Sequence, residues 1–179
     1  MTPSAAVALA PVFRKATLRT TTVLLVSAAL LPLLVHLLPS WDALPVGAHL
    51  LPMFWTTFVA AYFFGARVGA LTGLIAPLVN LLLTALPAWK MIALLGSELV
   101  IFAIAAAWLV KRAPRCWLLA ALSAIAAFIF GAGLQTAMLP HDLSGTPAGL
   151  FVATLTTGLP GLVLLTVINL ILVKRFPKS

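Results

Sequence analysis

The chain has 179 residues, of which 63% are hydrophobic and 8% charged, with a mean hydropathy of +1.19. Soluble domains carry about 25% charged residues, so a soluble globular domain is excluded, a single cysteine excludes a disulfide framework, and the apolar content excludes disorder. Eleven Lys and Arg against three Asp and Glu give a net charge of +8, but membrane topology itself concentrates Lys and Arg on cytoplasmic loops, so the charge is no argument for nucleic acid.

A bilayer-crossing helix needs about 20 apolar residues. In chain order the sequence predicts such spans at 20–38, 47–64, 68–86, 89–110, 116–138 and 149–173, hence an all-α integral membrane bundle of six transmembrane helices forming a single membrane domain over 1–179. Residues 1–13 are apolar but short and broken by Pro3 and Pro11, a surface segment ahead of the first span. That span is expected to be retained, because no small-residue cleavage site follows Pro39 and Ser40. The start of the second depends on whether 45–52 is helical or a surface loop. Pro32, Pro77 and Pro160 interrupt spans one, three and six and are expected to bend them.

The charges test the count independently. An even number of spans places Arg14, Lys15, Arg19, Arg67, Lys111, Arg112, Arg115, Lys174, Arg175 and Lys178 on one face, with Lys90 alone on the other. The basic face, with both termini, is therefore expected in the cytoplasm. Trp41 and Trp89 fall at the outer boundary and Trp108 and Trp117 at the inner one, as interfacial anchors do.

Polar groups are costly in hydrocarbon, so their depth is informative. Glu98 falls near the membrane centre on span four, where an ionised carboxylate costs about 3 kcal/mol. Asn80 and Thr84 share one face of span three by their spacing of four, Gln135 and Thr136 lie in the outer third of span five, and Thr154, Thr156 and Thr157 in that of span six. Asp42, His49, His141 and Asp142 lie in the outer loops, and His36 near the same surface. This distribution predicts a solvated cavity opening outward with Glu98 at its floor and a small polar or amphipathic ligand inside. Trp41, His49 and Trp89 are placed to close over it, and Lys90 serves as an outer-rim contact or a snorkelling anchor. The competing reading for Asn80, Gln135 and Thr156 is hydrogen bonding between helices, which is also the reading for Asn169 deeper in span six. Gly65, Gly69 and Gly73, with Ala103 and Ala107, form small-residue faces for close helix approach, within the bundle or against a partner.

No Walker pattern, H-E-x-x-H zinc motif or G-x-S-x-G elbow is present. The His141-Asp142 pair is only a dipeptide, and nothing marks Cys116 as a nucleophile. The expectation is a protein without catalytic residues, cofactor or metal, for which ATP-driven work requires a partner.

The run Leu51-Pro52-Met53-Phe54-Trp55, then Gly65-Ala66-Arg67-Val68-Gly69-Ala70-Leu71-Thr72-Gly73, then Ala76-Pro77-Leu78-Val79-Asn80-Leu81-Leu82-Leu83-Thr84, followed by Pro87 and Glu98, resembles the substrate-binding S components of energy-coupling factor (ECF) vitamin transporters. The resemblance is detailed over about residues 50 to 100 and looser elsewhere. It departs from the family pattern at Ala85, where Gly is usual, and in span one, where Ser27-Ala28-Ala29 before Pro32 stands in place of an Ala-x3-Ala scaffold contact. It implies a vitamin-binding bundle in a bacterial cytoplasmic (inner) membrane, its pocket near the outer surface, docking on a membrane scaffold subunit and two ATPases and toppling to deliver substrate. Two other readings stand beside it: a solitary or proton-coupled transporter using Glu98, and a structural membrane protein without ligand.

Overall fold

The computed structural model describes residues 18–36, 46–85, 88–138 and 145–177. They form α1 (Leu18–His36), α2 (Val46–Leu50), α3 (Pro52–Phe64), α4 (Ala66–Thr84), α5 (Trp89–Arg112), α6 (Leu119–Met138), α7 (Pro147–Thr157) and α8 (Leu159–Arg175), with no strand among the described residues. Residues 1–17, Trp41, Asp42, His141 and Asp142 lie outside this set, as do the side chains of Ala28, His36, Thr84 and Lys90.

Four stretches are long and apolar enough to cross a membrane: Val46–Phe64, Ala66–Leu83, Met91–Arg112 and Leu119–Met138. The bent pair α7–α8 makes a fifth if taken as one span. α1 coincides with the first expected span but is outside that count. The chain is thus an all-helical bundle with four or five candidate spans rather than six established ones.

Two expected spans are not continuous helices. The second is a short α2 joined to α3 through Leu51, which adopts the left-handed conformation (φ 54°, ψ 46°) immediately before Pro52. The sixth, expected over 149–173 with a bend at Pro160, is divided at Gly158 and bent by 63°. Pro160 explains the division, because a proline lacks an N–H and clashes with the preceding helical turn, so it is accommodated in the first turn of a new helix. Pro77, by contrast, is carried inside α4.

α5 is central, packing against α3, α4 and α6, while α1 covers α3 and α4. Small residues bring α4 close. A Cβ at Gly69 would lie 2.8 Å from Ala61 Cβ and 3.1 Å from Ala103 Cβ, and one at Gly73 would lie 2.8 Å from Leu99 Cβ and 3.1 Å from its carbonyl oxygen. Ala103 and Ala107 are buried in the same core. Gly65 links α3 to α4 at φ 86°, ψ −176°, a conformation essentially confined to glycine.

One end of the bundle is fastened by long-range bonds. The Tyr62 hydroxyl lies within bonding distance of the carbonyls of Phe176 (2.9 Å) and Leu172 (3.3 Å), Phe63 stacks edge-on against Phe176, and Asn169 Nδ2 donates to the Cys116 carbonyl at 3.3 Å. These contacts bring the α3–α4 turn, the α5–α6 loop and the end of α8 to the same end. Exposed Arg67, Lys111, Arg112, Arg115, Lys174 and Arg175 therefore share it.

The helix termini supply a paired stability test. Ala85 caps α4 in the left-handed region (φ 57°), donating its N–H to the Leu81 carbonyl at 2.8 Å. Ala85→Gly is expected to stabilise by about 0.5–1 kcal/mol, since glycine adopts that conformation without Cβ strain. Gly73→Ala is expected to destabilise by about 1–3 kcal/mol, because its new methyl meets α5 backbone. Thermal unfolding of the detergent-solubilised protein checks both signs.

Candidate functional site

Glu98 and Leu99 are adjacent on α5, and the helical turn between them sends their side chains to different neighbours. Leu99 faces Gly73 of α4, whereas the Glu98 carboxyl group occupies the place that a side chain at Gly131 of α6 would take. The acid thus lies against α6 backbone, and the glycine makes room for it. Glu98 is half-buried and has no ion pair or hydrogen bond among the described residues.

An aromatic layer lies one turn nearer the basic end. Phe102 follows Glu98 on α5, Phe128 precedes Gly131 on α6, and both meet Phe54 of α3 in edge-on contacts of 4.9 and 5.6 Å between ring centroids. All three rings are buried. Glu98 lies about 21 Å along α5 from Arg112, and Gly131 about 18 Å along α6 from Leu119, so the acid is far from the basic end and separated from it by apolar core.

The helix breaks occur at this same level. Leu51 is one turn from Phe54, and its side chain would lie 3.2 Å from a Cβ at Gly158. His49 Nδ1 is 3.1 Å from the Thr157 carbonyl oxygen, so the ring donates to the end of α7 when the proton is on Nδ1. A Cβ at Gly161 would be 2.7 Å from the His49 carbonyl oxygen and 2.8 Å from that of Leu50. Each interrupted helix therefore covers the other's break.

The expected ligand residues separate into groups. Gln135, half-buried, lies one turn outward of Gly131 on the same face of α6 and is the expected residue nearest Glu98 by register. Asn80 is 1% exposed, two turns outward of Gly73 on the α4 face packed against α5, a different seam from that of Glu98. Thr156 is exposed and its hydroxyl donates to its own helix at Val152 (2.9 Å) and Ala153 (3.0 Å). The Thr136 hydroxyl is likewise taken by Gly133 and Ala132. Trp89 is 76% exposed at the start of α5 and does not cover the acid. Thr84 and Lys90 belong to α4 and α5, with side chains outside the description, as is all of Trp41.

Gly131, the three phenylalanines and the Gly158–Gly161 stretch are absent from the expected set. Gly131, Gly158 and Gly161 carry a sequence signal: glycine inside a helix costs about 1 kcal/mol relative to alanine and so marks a close approach, though its neighbour cannot be read from one chain.

These features define a multi-helix bundle with several helices able to cross a membrane and a half-buried acid between two of them. No protein-family profile, curated protein or solved structure matches the chain. Among the described residues no group of His, Cys, Asp and Glu could hold a metal ion.

Gly131→Ala separates the acid's placement from bundle stability. Its methyl meets the Glu98 side chain from Cγ outward and no backbone among its nearest contacts, so the side chain turns aside and thermal unfolding is expected to stay close to wild type. Gly73→Ala, which meets backbone, lowers the midpoint in the same assay.

Proposed function

We propose that this chain is the substrate-capturing S component of an ECF-type transporter, taking a vitamin or related micronutrient from the outer side of a bacterial cytoplasmic membrane for import. It catalyses no reaction itself. The observation that carries the reading is Glu98: a half-buried acid at mid-helix, seated on Gly131 and without a protein partner among the described residues. A carboxylate at that depth is costly unless something answers it, and a bound ligand does so. Gln135 orients the ligand from one turn outward, and the aromatic layer closes the site inward.

The arrangement requires six crossings with both termini on the basic, cytoplasmic side. Delivery depends on a membrane scaffold subunit and two ATPases. The close-packed faces of Gly69, Gly73 and Ala103 are occupied by α3 and α5 within this chain, which favours capture over the purely structural reading. An unpartnered acid also suits a proton site. Uptake that collapses with an uncoupler but survives ATP depletion favours that second reading.

Two measurements test the proposal. Protein purified in mild detergent is expected to retain a small molecule identifiable by mass spectrometry, and Glu98→Ala to reduce its retention at least tenfold, about 1.4 kcal/mol, with folded yield preserved. Unchanged retention removes Glu98 from the site. Orientation is read through Cys116, the chain's one cysteine, which is part-exposed in the basic α5–α6 loop. A membrane-impermeant maleimide is expected to label it in inside-out vesicles and spare it in intact cells.

A further inference from the structure

The charge distribution constrains what Glu98 can hold. All described cations of the α3–α4 turn, the α5–α6 loop and the end of α8 lie at the end of the bundle fastened by Tyr62 and Asn169. The Phe54–Phe102–Phe128 layer stands between that end and the acid. Glu98 therefore has no arginine or lysine within pairing distance among the described residues. By sequence the outer half carries Asp42, Glu98 and Asp142 against Lys90 alone.

An anionic ligand entering this half meets a carboxylate in a medium of low dielectric, where like charges repel strongly. Among the described residues no guanidinium lies at Glu98 to receive it. A neutral ligand answers the acid only in its protonated form. A cation removes the imbalance, and the apolar composition of α5 and α6 suits an apolar body on the rest of the molecule.

We infer that the molecule captured at Glu98 is an organic cation, a protonated amine or other cationic nitrogen on a compact apolar or aromatic body, and that Glu98 is its counter-ion. This rests on the capture reading and narrows it to one substrate class. Gly131 is a positioning residue, because the carboxyl group reaches the seam between α5 and α6 only where position 131 lacks a side chain.

The full-length protein in detergent is titrated with three probes of matched size, 2-phenylethylammonium, 2-phenylethanol and phenylacetate, and its thermal unfolding is followed. The ammonium probe is expected to raise the midpoint of the wild type and to lose at least tenfold in apparent affinity with Glu98→Gln, which keeps size and hydrogen bonding but removes the charge. Gly131→Ala is expected to weaken the same probe without lowering the unliganded midpoint. Equal stabilisation by phenylethanol or phenylacetate, an equal response of Glu98→Gln, or no response to any probe overturns the inference. Mass spectrometry of the co-purifying molecule separates the two levels: an anionic or uncharged molecule overturns the cation assignment and leaves capture standing, whereas no retained molecule overturns both.

Discussion

Hydrocarbon offers no hydrogen bonds, so every backbone group inside a membrane must find its partner in the protein. The two interruptions, at Leu51 and Gly158, are tolerated because they meet. His49 supplies a donor to the end of α7, and Gly161 has no side chain to keep the α2 carbonyls away. Gly158 also donates its own N–H to the Thr154 carbonyl at 2.9 Å. The bend of α7 against α8 and the left-handed Leu51 are thus two halves of one arrangement, and it sets the level at which Phe54 enters between α5 and α6.

Around that level, α5 acts as a distributor of neighbours. Leu99 and Ala103 take the glycines of α4, Phe102 takes Phe54, and Glu98 takes the glycine of α6. Outside this seam, Trp55 Nε1, Thr57 Oγ1 and Asn169 Oδ1 are buried without a hydrogen-bond partner among the described residues, while many hydroxyls are satisfied locally. Hydroxyls of Thr56, Thr72, Ser97, Ser123 and Thr166 each donate to a carbonyl of their own helix, the usual fate of Ser and Thr in apolar helices.

Much of the architecture was legible because hydropathy and charge report directly on spans and on the basic end. α4, α5 and α6 begin and end within a few residues of expectation. The break at Gly158 was less legible: Pro160 announced a bend, but whether a proline kinks a helix or begins a new one depends on what covers the freed carbonyls, here His49 from a distant segment. The depth of Glu98 could be read from its position, while its neighbour could not, because a spacing along one helix does not say which helix lies opposite. For the same reason Asn80 and Glu98, both at suggestive depths, fall on different seams. Thr156 and Trp89 were placed correctly along the chain, yet rotation about the helix axis leaves one bonded to its own turn and the other outward.

The Tyr62 hydroxyl reaches the last carbonyls of α8, whereas beyond the breaks α2 meets the end of α7 through the His49 imidazole and the start of α8 through bare glycine contacts. A pair of rods pinned at one extremity and jointed partway along behaves like tongs. Strain applied at the far extremity is taken up by rotation at the joints, leaving the pin undisturbed, so the end beyond the breaks can widen while the basic end keeps its seal.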